Sequence, residues 1–191
     1  MDKNEKARRK LINAAENLLK NTDLDRLSIS AITKECQMTR QVFYRYFTDK
    51  YDLIKYRCRS NLEHLLGERR NITVYEFILV LLTEIRSSFN LYRRTLSFGQ
   101  GNSPASEIKS QISLAISNAV SLSGENPEDK KIKFQTSFFA LGIISEINSF
   151  LEMNREFNPE SLCDDICSCA PTDIKDIILS QKIPIHSLFL E

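Results

Sequence analysis

The chain has 191 residues, of which 42% are hydrophobic and 27% charged, and it contains only five glycines and five prolines. This composition predicts one or two compact domains and excludes a disordered chain. No apolar run approaches the roughly 20 residues of a membrane span, and no signal-peptide pattern opens the sequence. We therefore expect a cytoplasmic protein without a membrane partner.

The formal net charge of +1 hides an uneven distribution of charge along the chain. Residues 1–60 carry 14 Lys and Arg against 8 Asp and Glu, whereas residues 61–191 carry 12 against 17. A basic N-terminal third is attracted to a polyanion such as DNA, although many solvated surfaces reach the same imbalance. Long apolar patterns at i, i+3 and i+4, without clear alternating strands, predict an all-α fold.

The first predicted helix spans residues 4–20 and turns Leu11, Ala15, Leu18 and Leu19 inward. It would brace the helices that follow. Its basic beginning fits a contact with the DNA backbone and a solubilising terminus about equally well.

Residues 28–53 predict two short helices, a tight turn and the start of a third helix. Ser28 is a suitable N-cap for the first, whose Ile29, Ile32 and Cys36 form one apolar stripe. Thr39 is a suitable N-cap for the second.

The residue pattern of the second helix indicates a surface that contacts DNA bases. Phe43 and Phe47 share its inward face, so its polar side chains project outward. Arginine pairs with guanine, glutamine with adenine, and hydroxyl groups with phosphate oxygens. A lysine in the first turn of the next helix opposes the helix dipole unless it helps to hold a phosphate. The candidate DNA-contacting residues are Ser28, Ser30, Thr39, Arg40, Gln41, Tyr44, Arg45, Tyr46 and Lys50.

This segment resembles the helix-turn-helix of TetR-family transcriptional regulators, with the order and spacing of its signature kept without a gap. The signature positions are Ile32, Thr33, Cys36, Gln37, Met38, Thr39, Val42, Phe43, Tyr44, Tyr46, Phe47, Lys50 and Leu53. The departures are Thr33, Cys36, Gln37, Val42 and Tyr46. Gln37 replaces the turn glycine, and a non-glycine residue in a left-handed turn costs about 1 kcal/mol. The sequence from Arg40 to Leu53 also resembles that of the branch of dihydroxyacetone-kinase-operon regulators.

The resemblance implies a helix-turn-helix domain over residues 1–49 and a helical regulatory and dimerisation domain over residues 50–191. A linking helix is predicted from Lys50 to about Arg69. Further helices are predicted near residues 73–90, 91–98, 104–122, 129–154 and 159–180, with Asn158 and Pro159 as an N-cap and first-turn pair.

The segment from Phe134 to Phe150 is apolar on more than one face. In TetR-like proteins the last two long helices of each subunit form a four-helix dimer interface, and the resemblance implies the same for residues 130–153 and 159–179. A buried core helix of a monomer is the alternative. The predicted interface residues are Phe138, Phe139, Gly142, Ile143, Ile147, Phe150, Leu162 and Ile166.

The resemblance also implies an effector pocket among the helices between residues 50 and 150, with an apolar wall and a few polar anchors. The candidate ligand contacts are His64, Phe77, Arg86, Tyr92, Phe98 and Asn148. Each of them also fits an ordinary core or surface position.

The five cysteines favour buried thiols, with a metal or redox-sensing site at Cys163, Cys167 and Cys169 as the alternative. Cys163, Cys167 and Cys169 lie close together, but neither His64 nor His186 has the spacing of a fourth ligand. We expect buried thiols, no cofactor and no enzyme activity, because the chain lacks phosphate-binding, nucleophile-elbow and metalloprotease motifs.

These observations predict a sequence-specific transcriptional regulator, a ligand-responsive repressor that binds a palindromic operator as a homodimer. The alternative is a TetR-like interaction protein or co-activator that works through a protein partner in place of a small molecule. Gln37 keeps that alternative open, because a distorted turn would misplace the recognition helix.

Overall fold

The computed structural model describes residues 3–67, 69–96 and 103–189, and these ranges are overwhelmingly helical. The all-α prediction is confirmed. The helices are α1 (Lys3–Leu19), α2 (Ile29–Glu35), α3 (Arg40–Tyr46), α4 (Lys50–Leu66), α5 (Val74–Ser87), α6 (Phe89–Thr95), α7 (Pro104–Leu122), α8 (Lys130–Glu152), α9 (Pro159–Ser168) and α10 (Thr172–Ser180).

Helices α1 to α3 form an N-terminal unit around the first part of a continuous apolar core. Leu11, Ala15 and Leu19 of α1 are buried together with Ile32 of α2 and Phe43 of α3. Short 3-10 geometry over Leu24–Arg26 connects α1 to α2. The three helices bury their apolar stripes against one another, which leaves their polar faces outside.

Helix α4 joins this unit to the rest of the chain. Its N-cap is Asp49, whose carboxylate accepts a hydrogen bond from the Asp52 amide at 2.8 Å. Gly67 ends it with a φ of +57°, in the left-handed region where glycine carries no penalty. Because α4 packs on α1 and also on α5 and α7, it belongs to both parts of the molecule.

The C-terminal unit, α5 to α10, begins with a capping box. The Thr73 hydroxyl accepts from the Glu76 amide, and the Glu76 carboxylate accepts from the Thr73 amide at 2.7 Å. Asn158 and Pro159 begin α9 as predicted. The single helix predicted over residues 159–180 is wrong, because the chain breaks between α9 and α10. Pro171 precedes α10 and has no amide hydrogen with which to continue α9.

A small antiparallel ribbon, which the sequence did not predict, ties the end of the described chain to its middle. Strands β1 (Asn71–Thr73) and β2 (Lys182–Pro184) pair with Ile72 opposite Ile183. The Arg59 guanidinium then donates to the Phe189 carbonyl, and the Asn118 amide donates to the Ser187 carbonyl at 3.3 Å. These contacts fasten residues 182–189 to α4 and α7. Across the described residues, none of the helices combines the length and apolarity needed to cross a bilayer.

Candidate nucleic-acid interface

The turn between α2 and α3 takes a left-handed conformation at Gln37, whose φ is +56°. The Met38 amide closes the turn by donating to the Thr33 carbonyl at 2.8 Å. The predicted caps are confirmed on either side: the Ser28 hydroxyl accepts from the Ala31 amide at 3.1 Å, and the Thr39 hydroxyl accepts from the Val42 amide at 3.3 Å. The chain therefore forms this turn without a glycine, at the cost of one strained residue.

Helix α3 presents a polar surface because its aromatic face is fixed inside. Phe43 and Phe47 are buried, with ring centroids 5.9 Å apart. Four polar side chains are exposed on the outer face: Arg40, Gln41, Tyr44 and Arg45.

Two of these exposed side chains form a pair. An Arg40 amino group donates to the Tyr44 hydroxyl at 3.4 Å, and the guanidinium lies 6.0 Å from the centre of the tyrosine ring. The two residues are one helical turn apart, so their side chains meet on the outer face of α3. Thr39 is exposed at the N-cap of the same helix, Ser28 is exposed at the N-cap of α2, and Ser30 is exposed on α2. These residues lie on α2, on α3 and at their N-caps.

Tyr46 is half-buried and turns toward α1. Its hydroxyl donates to the Asn4 side-chain carbonyl at 3.1 Å, and the Arg8 guanidinium lies 5.8 Å from its ring centre. The same guanidinium lies 5.3 Å from the ring of Tyr56 on α4. Arg8 thus links three helices, a role that the sequence analysis missed because its partners are distant in the chain. A phosphate contact by Tyr46 stays a prediction.

Lys50 has a structural role that the sequence analysis did not foresee. Its ammonium donates to the carbonyls of Asp25 at 2.7 Å and Leu27 at 3.1 Å. These two bonds account for a lysine in the first turn of a helix, where its charge opposes the dipole. A phosphate contact by Lys50 stays a prediction, and only its third N–H donor would be left for it.

Behind this interface, a buried charged cluster connects the N-terminal and C-terminal units. Arg57 of α4 is 8% exposed, and its Nε donates to Glu16 of α1 at 2.6 Å. Its Nη1 pairs with Glu84 of α5, and its Nη2 donates to the Ser88 hydroxyl at 3.1 Å. The sequence carried a signal for this cluster, since Arg57 lies within the apolar stripe of α4 next to the buried Cys58.

The predicted dimer-interface residues come together on one exposed groove of about 490 Å³ between α8 and α9. Phe138, Phe139, Gly142, Ile143, Phe150, Leu162 and Ile166 all line it. Ile147 does not: it is wholly buried, so its assignment to the interface is wrong. It lies on the inward face of α8, which packs mainly on α7.

An exposed aromatic pair continues this groove along α8. Phe134 is 69% exposed and Phe138 is 66% exposed, and their rings stack with centroids 6.0 Å apart. Isolated surface phenylalanines are ordinary, but a stacked pair beside an apolar groove is a contiguous patch of the kind that marks an interaction site.

The candidate ligand contacts are not brought together in one cavity. Phe77 and Tyr92 are wholly buried in the core, and Asn148 is buried with its Nδ2 donating to Glu152 at 2.6 Å. Arg86 lines a cleft of about 570 Å³ between α1 and the start of α6. His64 is exposed and lines a different cleft, of about 380 Å³, between α1 and α4. Phe98 lies outside the described residues.

The cysteines are mostly internal. Cys58, Cys163 and Cys167 are buried, Cys36 is half-buried and Cys169 is exposed. Burial raises the pKa of Cys58 to about 11 and also raises the pKa of Cys36. The hydrogen bond with Cys167, together with burial, raises the pKa of Cys163. Within the described ranges no cluster of three or more His, Cys, Asp or Glu side chains could hold a metal ion.

Comparison with known families and structures supports the interpretation of α1 to α4. Residues 11–56 match the model for bacterial regulatory proteins of the tetR family. None of the curated proteins matches the chain significantly.

Several solved structures share the fold over nearly the whole chain. The dihydroxyacetone kinase operon activator DhaS has 16% sequence identity and a TM-score of 0.61, over 89% of this chain and 97% of its own. The regulator FadR from Bacillus subtilis, solved in complex with stearoyl-CoA, has 14% identity and a TM-score of 0.54, over 89% and 97%. NalD, the secondary repressor of the MexAB-OprM efflux pump in Pseudomonas aeruginosa, has 15% identity and a TM-score of 0.51, over 86% and 93%.

Proposed function

We propose that this chain, whose residues 11–56 match the model for bacterial regulatory proteins of the tetR family, is a transcriptional regulator that binds one palindromic operator as a homodimer and responds to an effector. The observation that carries this proposal is the exposed polar surface of α3, held outward by the buried Phe43 and Phe47. Arg40 and Gln41 are the side chains that would read base edges, while Thr39 and Tyr44 would contact phosphates.

The groove between α8 and α9, with the stacked Phe134 and Phe138 beside it, supports dimerisation through these helices. A two-fold axis would bring the same apolar patch of both subunits together, in an isologous interface. It would also present two copies of α3 about one helical turn of DNA apart, which matches a palindrome.

The proposed effector is bound by the C-terminal unit. FadR from Bacillus subtilis was solved in complex with stearoyl-CoA. An effector of this chain would act through the C-terminal unit. The effector is a small molecule or a protein partner. In either case, the factor by which the bound effector changes the affinity for DNA equals the factor by which bound DNA changes the affinity for the effector.

The alternative function, an interaction protein that no longer reads operators, depended on a distorted turn at Gln37. The left-handed φ of Gln37 and the capped α3 are those of an intact helix-turn-helix, which favours the DNA-binding function.

The proposal is tested by selecting binding sites from a random double-stranded DNA pool at two salt concentrations. We expect a palindrome whose affinity falls steeply with salt. Arg40→Ala should weaken binding to that palindrome by about 1 to 3 kcal/mol and relax its specificity. Lys182→Ala removes one positive charge from β2, which pairs with β1 and packs on α7, and serves as the control. Recovery of no preferred sequence by a folded dimer would reject the proposal.

A further inference from the structure

The cluster around Arg57 is a buried polar link between the N-terminal and C-terminal units. On the surface, Arg94 of α6 also joins them by pairing with Asp23 at 2.8 Å. The apolar core runs continuously through both units, but apolar packing is non-directional, whereas charge-assisted hydrogen bonds fix a particular geometry. The Arg57 cluster lies where such fixing is needed, between α1, α4 and α5.

The two carboxylates that Arg57 holds are not equivalent. Glu84 is 3% exposed and is further held by the Asn61 amide and the Ser88 hydroxyl, each donating at 3.1 Å. The Glu16 side chain is 33% exposed and shares only one bond with Arg57. Arg57 is therefore anchored firmly to the C-terminal unit and holds the N-terminal unit through a contact that can open.

The surroundings of Glu16 make that opening possible. Glu16 and Arg57 both line the 570 Å³ cleft beside α6 and the 380 Å³ cleft beside α4. Solvent-accessible space therefore lies on two sides of the ion pair. A released Glu16 carboxylate would move into water, whereas Arg57 would keep Glu84 as its counter-charge.

We propose that Arg57 is a positioning residue, which fixes the orientation of the N-terminal unit through Glu16 and thereby sets the separation of the two α3 helices in the dimer. This inference rests on the proposed function, since the separation matters only for a dimer on a palindrome. A fixed separation lowers the entropic cost of binding, because the two recognition helices already have the spacing of their half-sites.

The test compares Glu16→Gln with Glu63→Gln. Glu63 pairs with Arg59 on the outer surface of α4 at 3.2 Å, so the control removes the same charge without touching the cluster. Each protein selects from DNA pools in which the two half-sites are separated by the parent spacing, or by one or two base pairs more or fewer.

We expect Glu63→Gln to keep the spacing preference of the parent protein. Glu16→Gln should bind the parent operator about three- to tenfold more weakly than the control, and should discriminate less between spacings. Binding to random DNA and the thermal unfolding midpoint of Glu16→Gln should match those of the control. A general loss of stability would instead lower the midpoint and weaken binding to all DNA, without changing the preferred spacing selectively.

Three outcomes would contradict the inference: an unchanged spacing preference, operator binding as tight as or tighter than that of the control, or an equal loss on random DNA. If the parent protein itself selects no palindrome, the proposed function fails, and the inference falls with it. A parent that selects a palindrome, with a Glu16→Gln variant that behaves like the control, overturns only the role of Arg57.

Discussion

Replacement of Glu84 by glutamine tests how strongly the buried charge pair stabilises the protein. The substitution keeps the shape of the side chain, so it opens no cavity, but it removes the charge that faces the buried Arg57 guanidinium. Breaking a buried ion pair by removing one partner costs about 3 to 5 kcal/mol, because the remaining charge is left uncompensated. Glu16 still faces Arg57 at 2.6 Å, so we expect a loss near the lower limit, about 3 kcal/mol.

Urea unfolding followed by circular dichroism measures this loss as a change in the free energy of unfolding. The comparison must be made at one protein concentration, because a dimer gains apparent stability with concentration. Glu63→Gln is again the control, since an exposed pair is worth about 0.5 kcal/mol or less. A Glu84→Gln variant within about 1 kcal/mol of this control would show that the desolvation cost of the pair cancels its attraction.

A double substitution separates stability from positioning. Replacing Arg57 by methionine and Glu84 by leucine substitutes apolar side chains of similar size for the buried pair, which is often neutral or stabilising. We expect most of the stability lost by Glu84→Gln to be regained. The link to Glu16 is removed in the same variant, so the discrimination between operator spacings should still be lost.

The remaining predictions concern the turn, the phosphate contacts and the thiols. Gln37→Gly should raise the free energy of unfolding by about 0.5 kcal/mol, because it relieves a left-handed backbone cost of about 1 kcal/mol, partly offset by the larger backbone entropy that glycine loses on folding. Gln37→Val should lower the free energy of unfolding. The opposite order of the two variants in urea titrations would contradict this. Tyr44→Phe should weaken operator and random DNA alike in binding titrations, because a hydroxyl group on phosphate carries no sequence information, and a loss confined to the operator would reject that role. Iodoacetamide at pH 8 should label the exposed Cys169 and spare Cys58 in the folded protein. Burial raises the pKa of Cys58 to about 11 and keeps its thiol protonated. Equal labelling of the two cysteines in peptide mass spectra would contradict this prediction.

Local rules were enough to predict the helix-turn-helix. Caps at Ser28 and Thr39 and the spacing of Phe43 and Phe47 determine where α2 and α3 begin and which face is buried. These signals lie within a few residues of one another, so they can be seen in the sequence. The same is true of Pro159 at the start of α9.

Contacts between distant residues could not be predicted in this way. Lys50 binds carbonyls more than twenty residues away, and Arg57 and Glu84 come together only after α4 packs on α5. The assignment of Ile147 to the dimer interface failed for a related reason. A helix that is apolar on more than one face does not reveal which apolar stripe remains inside the subunit.

The ribbon between β1 and β2 imposes an order on folding during synthesis. Ile72 pairs with Ile183, so the C-terminal unit cannot complete this pairing until the ribosome has released residues 182–184. Helices α1 to α3 find their partners within a short stretch of chain, and local contacts form quickly. We therefore expect the helix-turn-helix to fold first on the nascent chain, while the face of α7 that packs on β2 stays uncovered until residues 182–184 have been released.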